Sequence, residues 1–336
     1  MTAEEGRLFA MSLTIWCNAK LKDEADARLR ETLKARGHRL VEAKVANASV
    51  LAGGESDPGI AEADVAFGQP AVEDCFRCER LKWVALTTAG YTRYDREDLK
   101  EALRRRGGAL TNASAVFAEP CAQHVLAMML GLARQLPQSL EVQRGERTWD
   151  YHERRAASRL LNGQTVLLLG FGAIGQRLVE LLAPFGMKIV AVRRQTKSES
   201  AVRIIAMEQL SSALGEADHV VNILPDNDET KDFVNARRLA CFKRGARFYN
   251  VGRGTTVDQR ALIEALESGR LDAAYLDVME PEPLPPEHAL WGTKNCFITP
   301  HTAGGRHDQD EALVELFLEN LEAWERGGAG LRNRVV

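Results

Sequence analysis

The chain has 336 residues, 45% of them hydrophobic and 27% charged, which is typical of a globular protein long enough for two domains. Its formal net charge of -3 argues against a general nucleic-acid-binding protein, which usually carries a basic surplus. No uninterrupted apolar run approaches the ~20 residues that span a bilayer, and the acidic N-terminus lacks the basic segment of a secretory signal. We therefore expect a cytoplasmic protein that binds neither nucleic acid nor membrane.

Six cysteines are present, and only Cys75 and Cys78 form a C-x-x-C pair. One such pair, without a second pair or clustered histidines, is weak evidence for a metal or redox site. We expect reduced thiols and no bound metal.

The first third of the chain alternates apolar runs with charged segments. Residues 13–17, 63–68 and 81–86 predict strands, and residues 22–36 predict a surface helix. A small, glycine-bearing loop at residues 87–90 closes the last of these strands. Alternation of this kind predicts a parallel sheet.

A second β/α series begins after about residue 112. Residues 118–136 predict a long helix with Pro120 in its first turn, apolar around much of its circumference and therefore buried between domains or at a subunit contact. The arginine-rich residues 143–160 predict a surface connection. Further strands are predicted at 165–169, 188–192, 219–223, 247–251, 273–278 and 296–299, with helices at 173–183, 258–268 and 308–326.

These elements predict the α/β class, with two Rossmann-like, doubly wound parallel-sheet domains. We expect the chain to leave the first domain near residue 112, build the second over residues 113–300, and return to the first for residues 301–336. A cleft between two such domains would suit a cofactor and a small substrate.

Gly170, Gly172 and Gly175 lie between a predicted strand and a predicted helix. In a G-x-G-x-x-G loop the first glycine permits a tight turn, the second lets a pyrophosphate approach the backbone, and the third lets helix and strand pack closely. Free N–H groups at the helix start then face the phosphates. A merely structural glycine turn is the alternative, but the strand–loop–helix context favours dinucleotide binding.

The next predicted strand ends in a basic segment, R-R-Q-T-K, at residues 193–197. A NAD-selective fold usually has an acidic residue there, which bonds the ribose 2′-hydroxyl. Arginine instead can bind a 2′-phosphate through two parallel hydrogen bonds. We predict NADP(H) in preference to NAD(H), unless the segment is simply a solvated basic turn. Arg193 is the main expected contact, and the expected helpers are Arg194, Thr196 and Lys197.

Arg253, Glu282 and His301 each come shortly after a predicted strand of the second series. Ligands of a doubly wound sheet bind outside the carboxyl ends of its strands, so these three side chains can converge although they are distant in sequence. Taken singly, they are typical of a surface charge, a loop residue and a capping histidine. Together, beside a dinucleotide loop, they are the groups needed to move a hydride to or from a carbonyl.

The chain resembles the D-isomer-specific 2-hydroxyacid dehydrogenase family from about Asn112 to Gly305. The resemblance is densest in three motifs: N-V-G-R-G at 250–254, L-D-V-M-E-P-E-P-L-P at 276–285 and I-T-P-H-T-A-G at 298–304. It implies a discontinuous, flavodoxin-like substrate-binding domain over residues 1–112 plus 301–336, and a dinucleotide-binding Rossmann domain over residues 113–300.

The resemblance also implies a role for each residue. His301 would be the general acid in ketoacid reduction, Glu282 would orient its ring and favour its protonated form, and Arg253 would bind the substrate carboxylate and carbonyl oxygen. The implied substrate contacts are Thr88, Ala89, Gly90, Arg253 and His301. The implied cofactor contacts beyond the glycine loop and the basic segment are Ala173, Ile174, Leu224, Pro225, Thr230, Val251, Gly252, Asp277, Ala303 and Gly304.

We therefore expect an NADP-dependent reductase of a small 2-ketoacid, such as glyoxylate or hydroxypyruvate, with NAD(H) as the alternative cofactor. Two other functions stay open: a cofactor-sensing scaffold, because the family includes a transcriptional corepressor of this fold, and a dehydrogenase of another oxyacid such as phosphite. Glu282 argues against the formate dehydrogenase reaction, where glutamine pairs with the histidine. The apolar helix suggests a homodimer, and His124 within it is expected to be a packed or interface histidine.

Overall fold

The computed structural model describes residues 12–47, 53–193 and 202–336, and the chain divides into two compact units. The first unit joins the segment that ends at Phe117 to the segment Arg306–Val336, and the second unit is Ala118–Gly305. The predicted boundaries, after residues 112 and 300, lie a few residues earlier. Val116 and Phe117 belong to the first unit because they pack in its hydrophobic core.

The first unit contains a five-stranded sheet in which every adjacent pair of strands is parallel. Its strands are β1 (Thr14–Ala19), β2 (Arg39–Asn47), β3 (Val65–Gly68), β4 (Trp83–Leu86) and β5 (Ala109–Thr111). The order β2-β1-β3-β4-β5 is the flavodoxin-like arrangement. The helices α1 (Asp23–Ala35), α2 (Val72–Arg77) and α3 (Glu97–Arg105) connect these strands.

The second unit contains a seven-stranded sheet, again parallel throughout. Its strands are β6 (Thr165–Leu169), β7 (Lys188–Val192), β8 (Arg203–Ile205), β9 (His219–Asn222), β10 (Ala246–Asn250), β11 (Leu271–Leu276) and β12 (Cys296–Ile298). The order β12-β11-β10-β9-β6-β7-β8 reverses direction between β6 and β9, which is the topological switch point of a doubly wound sheet. The predicted fold class, with two parallel-sheet domains, is confirmed.

The remaining helices are α4 (Ser114–Ala133), α5 (Leu136–Arg144), α6 (Tyr151–Ala157), α7 (Ala173–Leu182), α8 (Leu210–Glu216), α9 (Ala236–Cys241), α10 (Gln259–Glu267) and α11 (Gln309–Glu325). Helix α11 belongs to the first unit, where Leu313, Phe317 and Leu321 enter its core. Helix α10 begins at an N-cap, Asp258, whose carboxylate accepts a hydrogen bond from the Ala261 N–H at 3.0 Å.

Helix α4 begins earlier than predicted, at Ser114, because the Asn112 side chain accepts a hydrogen bond from the Ser114 N–H at 3.1 Å. Pro120 therefore lies in the second turn of the helix and not in the first. A window of α4 has a mean hydropathy of 1.3 with 33% of its residues buried, so its length and composition alone would suit a membrane span. Core helices of soluble proteins can have the same length and apolar composition, so these two properties are weak evidence for a membrane span.

Residues 143–160 are mostly exposed, as predicted, but they also include the end of α5 and the whole of α6. Three strands were not predicted: β2, β5 and β8. All three lie at sheet edges, where pairing with one neighbour defines the strand without a long apolar run.

Candidate active site

The carboxyl ends of six strands of the second sheet lie side by side. The register pairs Leu169 with Val192 and Asn222, Asn222 with Asn250, Asn250 with Leu276, and Leu276 with Ile298. Residues that follow these positions therefore emerge at one edge of the sheet. They include the glycine loop and the segments that carry Arg193, Arg253 and His301.

His301 and Glu282 form a hydrogen-bonded pair at this edge. The His301 Nδ1 atom lies 2.7 Å from Glu282 Oε2, and the two side chains are 26% and 21% exposed. The other oxygen, Glu282 Oε1, accepts a hydrogen bond from the Met279 N–H at 3.0 Å. Burial opposes ionisation of Glu282, but the bonds from His301 and Met279, with the charges of His301 and Arg253, hold the pKa of this carboxyl below its usual value. The structure thus brings two predicted catalytic residues into contact.

Arg253 follows β10 and is half-buried. Its carbonyl oxygen accepts hydrogen bonds from Asn250 Nδ2 at 3.1 Å and Thr256 Oγ1 at 2.7 Å, so the backbone that carries the guanidinium is held from two sides. Asn222 in turn donates to Asn250 Oδ1 at 3.0 Å and to Thr256 Oγ1 at 2.7 Å. This buried amide–hydroxyl network was not predicted, since nothing in the sequence distinguishes it from ordinary polar residues at strand ends.

Asp277 braces the loop that carries His301. Its buried carboxylate accepts hydrogen bonds from the Thr299 hydroxyl at 2.7 Å, the Thr302 N–H at 2.8 Å and the Ala303 N–H at 2.9 Å. Its carbonyl oxygen also accepts the His301 N–H at 2.8 Å. The predicted contact of Asp277 with nicotinamide stays a prediction, and the structure adds this bracing role.

His124 was expected to be a packed or interface histidine, and it reaches the same loop. Its Nε2 atom lies 3.2 Å from Thr299 Oγ1, and its ring packs edge-on against Tyr275. Burial lowers the pKa of His124, while the Asp277 charge opposes that change. Helix α4 is thereby tied to the segment that precedes His301.

The glycine loop has the geometry that a dinucleotide requires. Gly170 has φ +94°, a conformation that side chains rarely adopt, and a Cβ at Gly175 would lie 3.2 Å from the Phe171 ring. A Cβ at Gly172 would have no neighbour within 4 Å, so the backbone stays open to a close approach where α7 begins. Ala173 and Ile174 form the first turn of α7, and their half-buried positions suit phosphate binding at a helix N-terminus.

The other predicted cofactor contacts differ in exposure. Leu224 and Gly304 are half-buried and Pro225 is exposed, whereas Val251, Ala303 and Thr230 are buried. The Thr230 hydroxyl donates to the Pro225 carbonyl at 2.6 Å and therefore braces that loop. A Cβ at Gly252 would lie 2.7 Å from the Leu224 carbonyl oxygen, so glycine is needed for these two loops to pack.

Arg193 comes directly after β7, at the same edge as the glycine loop, and is half-buried. Arg194, Thr196 and Lys197 lie outside the described residues, so their predicted roles stay predictions.

Thr88, Ala89 and Gly90 belong to the first unit and follow β4. Their carbonyl groups are engaged: Thr88 O accepts from the Ala113 N–H at 2.8 Å, Ala89 O from Asn112 Nδ2 at 2.9 Å, and Gly90 O from the Thr88 hydroxyl at 2.7 Å. These bonds fix the loop without using its own N–H groups. Its predicted role in substrate binding stays a prediction.

Among the residues that the structure describes, no group of three or more His, Cys, Asp or Glu side chains is arranged to hold a metal ion.

Comparison with known proteins identifies the family. The profile of the D-isomer specific 2-hydroxyacid dehydrogenase NAD binding domain matches residues 126–303. A glyoxylate reductase from Aeropyrum pernix is 33% identical over 264 residues, covering 76% of this chain and 78% of that protein.

Two solved structures share the fold over nearly the whole chain. A D-isomer specific 2-hydroxyacid dehydrogenase from Xanthobacter autotrophicus, in complex with NADPH and MES, is 30% identical with a TM-score of 0.79, covering 97% of this chain and 98% of that one. An NADPH-dependent glyoxylate/hydroxypyruvate reductase from Sinorhizobium meliloti, in complex with NADP and malonate, is 27% identical with a TM-score of 0.68, covering 93% of each chain. The predicted family, the enzyme class and the nicotinamide-dinucleotide cofactor are confirmed. This chain belongs to the D-isomer-specific 2-hydroxyacid dehydrogenase family and is an oxidoreductase with a NAD-binding domain.

Proposed function

We propose that this enzyme reduces a small 2-ketoacid, such as glyoxylate or hydroxypyruvate, to the D-2-hydroxyacid with a hydride from NADPH. The observation that carries the proposal is the 2.7 Å contact between His301 and Glu282, at the edge of the sheet that also bears the glycine loop. Relatives named as glyoxylate reductases and a glyoxylate/hydroxypyruvate reductase support the substrate class.

The residues divide the work of carbonyl reduction. The bound nicotinamide supplies the hydride. The Nδ1 atom of His301 is engaged by Glu282, which leaves Nε2 to donate a proton to the carbonyl oxygen as that oxygen gains negative charge. The Arg253 guanidinium binds the substrate carboxylate and polarises the carbonyl. The N–H groups of Thr88, Ala89 and Gly90 are proposed to bind the same carboxylate.

The test of this function is a panel of 2-ketoacids assayed by loss of NADPH absorbance, with NADH in parallel. We expect turnover with glyoxylate or hydroxypyruvate and faster turnover with NADPH than with NADH. Tight NADPH binding without turnover of any ketoacid in the panel would contradict the proposal and favour a cofactor-sensing scaffold.

The preference for NADPH is proposed to depend on Arg193, whose position after β7 is where the adenosine ribose lies in Rossmann folds. Replacing Arg193 by Asp should lower the ratio of kcat/KM for NADPH to that for NADH by about 10²-fold, because a charge-assisted phosphate contact becomes a repulsion. Initial rates with both cofactors measure the ratio. An unchanged ratio would show that Arg193 does not read the 2′-phosphate.

We further propose a homodimer in which helix α4 contributes to the subunit contact. Only a third of its apolar window is buried, and nearby large apolar side chains are exposed: Leu136, Leu140, Trp149, Tyr151 and Leu160. Light scattering after gel filtration should give twice the chain mass of 37.1 kDa. A monomer at micromolar concentration would refute this. A cytoplasmic location stays a prediction.

A further inference from the structure

The second unit has a polar cavity of about 470 Å³ at the edge of its sheet opposite to His301. Its lining comes from the amino ends of the strands, where Gln164, Asp218 and Asn295 each precede a strand and Arg247 and Asp272 lie early in β10 and β11. Helices α5 and α6 provide further lining residues. The cavity is therefore separate from the candidate active site, which lies beyond the carboxyl ends of the same strands.

Arg247 is the most deeply buried arginine of the cavity lining. Its side chain is only 9% exposed, and its Nε atom donates to Asp272 Oδ2 at 2.9 Å. Within the described parts of the chain, its guanidinium makes no other hydrogen bond. A buried guanidinium carries five N–H donors in a fixed fork, and leaving them unpaired is costly. The remaining donors of Arg247 thus call for an acceptor inside the cavity.

A second donor has the same need. Arg154 Nε in α6 is buried without a hydrogen-bond partner, and Arg154 lines the cavity. The nearest acid to the Arg154 guanidinium is Asp150, at 3.6 Å. Native structures contain few buried, unpaired donors, so Arg154 Nε and the remaining donors of Arg247 in one polar cavity motivate the search for an anionic ligand.

The acidic lining residues do not neutralise the cavity. The Asp218 carboxylate already accepts from Lys243 Nζ at 2.5 Å and from the Thr165 N–H at 2.9 Å, and Asp272 is paired with Arg247 Nε. Arg159 adds a third guanidinium to the lining, and its Nη1 donates to the Ala156 and Ser158 carbonyls. Among the lining residues the three arginines outnumber the two aspartates, and the acid nearest to Arg154, Asp150, lies outside the lining.

His219 also lines the cavity but is not a charged partner. Burial and the charge of Arg247 lower its pKa to about 3, although Asp218 opposes this change. Its ring nitrogens are engaged by the Tyr249 hydroxyl at 3.0 Å and Gln164 Oε1 at 2.6 Å. The positive charge of the cavity therefore comes from arginine and not from His219.

We propose that this cavity binds a small oxyanion, a carboxylate or a phosphate, through the guanidinium groups of Arg247 and Arg154. Guanidinium groups match the paired oxygens of both anions, and burial strengthens such charge-assisted bonds. This site is independent of the proposed ketoacid reduction, since none of its residues belongs to the candidate active site.

Isothermal titration of the NADPH-loaded protein at low ionic strength tests the site, with citrate and inorganic phosphate as separate probes. We expect saturable binding of at least one probe, and the probe that binds identifies the preferred anion. Binding should weaken about tenfold in Arg154→Gln, the equivalent of ~1.4 kcal/mol. Arg155→Gln is the matched control, because Arg155 lies on the same helix, is exposed, stacks on Tyr151 and does not line the cavity.

The active site also carries an arginine, so the titration is repeated with Arg253→Ala. Persistence of binding in this variant supports the cavity, and its loss would mean that the anion occupies the active site. Arg247→Gln should abolish binding. If Arg247→Gln fails to fold, the comparison of Arg154→Gln with the parent still decides the test. No saturable binding to the parent protein, or equal affinity in Arg154→Gln and Arg155→Gln, would overturn the proposal.

Discussion

His301 adopts a backbone conformation that is uncommon for a residue with a side chain. Its φ of +53° lies in the left-handed region, and its N–H is shared between the carbonyl oxygens of Asp277 at 2.8 Å and Thr299 at 3.0 Å. Such conformations cost about 1–3 kcal/mol and persist where the surroundings impose them, often at functional sites. Here the surroundings are Asp277, which follows β11, and Thr299 of the same loop, so the direction of the imidazole depends on how well these residues hold the loop.

The pairing of Glu282 with His301 makes the first residue-scale prediction. Glu282→Gln keeps the shape of the side chain but removes the carboxylate that holds the His301 ring, so kcat for reduction should fall by about tenfold or more. KM for the cofactor should change little. Glu280→Gln is the control, since Glu280 is exposed nearby and contacts Gln259 only through its backbone. Parent-like activity of Glu282→Gln would contradict the proposed role.

Gly254 makes a second prediction, because a Cβ there would lie 1.9 Å from the Met279 carbonyl oxygen and 2.0 Å from its carbon. Gly254→Ala must displace the segment whose N–H holds Glu282, and should cost about 3 kcal/mol of stability as well as activity. Gly292→Ala is the control, since nothing lies within 4 Å of its added Cβ. Thermal unfolding and kcat measure both effects. Equal stability of the two variants would show that the Met279 backbone does not pack closely against Gly254.

At the level of elements, the loop between β12 and α11 is ordered by a single buried carboxylate. Asp277 directly follows β11, and its carboxylate accepts hydrogen bonds from residues on both sides of His301. A loop held in this way positions its catalytic side chain more rigidly than its length would suggest. The same carboxylate makes the loop sensitive to the loss of any one donor.

Thr299→Val tests this element, because valine keeps the shape but removes the hydroxyl that contacts Asp277 and His124. We expect a loss of about 1–3 kcal/mol and a lower kcat, since Asp277 keeps a buried oxygen with one donor fewer. Thr293→Val should be nearly neutral, because the Thr293 hydroxyl makes an exposed hydrogen bond and, among the residues described, donates only to the Ala289 carbonyl one turn away. Hydrogen exchange of the Thr302 and Ala303 amides would report the loosening directly. Unaltered exchange in Thr299→Val would contradict the bracing role.

Sequence patterns predicted the central strands and missed edge strands for a physical reason. Strand β6 is a continuous apolar run because helices cover both faces, and it was predicted with its observed bounds. Strand β2, at the edge of its sheet, mixes half-buried and exposed residues without regular alternation, and its identity depends on hydrogen bonds to β1. Those bonds are made by backbone groups that all residues share, so the pattern of side chains in the sequence does not predict them.

At the scale of the whole molecule, buried histidines couple folding to pH. Burial and the neighbouring Arg247 lower the pKa of His219 from 6.5 to about 3 in the folded protein. Between these values the unfolded chain binds a proton that the folded chain does not, so stability is present above pH 6.5 and is lost as pH falls towards 3. Burial also lowers the pKa of His124, which adds a loss in the same direction.

The variant His219→Gln separates the pH-dependent stability that comes from His219 from that of His124. The variant loses contacts to Tyr249 and Gln164 and should be less stable than the parent by about 1–3 kcal/mol at pH 7. Below pH 6.5 that gap should narrow by up to about 1.4 kcal/mol per pH unit, because only the parent carries the neutral buried imidazole. Thermal midpoints of both proteins between pH 7 and pH 5 measure this difference in stability. His124 is present in both proteins, so its contribution cancels. A constant gap would mean that His219 does not titrate in this range.

The sequence by itself determined what depends on neighbours in the chain: the apolar strands, the glycine loop before α7, and the motifs that identify the family. The tertiary structure alone decided which distant groups meet, such as the His301–Glu282 pair, the donors gathered by Asp277, and the three arginines around the cavity at the other end of the strands. The reason is that a parallel sheet aligns the ends of strands separated by long connections, and the register that aligns them is formed by backbone hydrogen bonds.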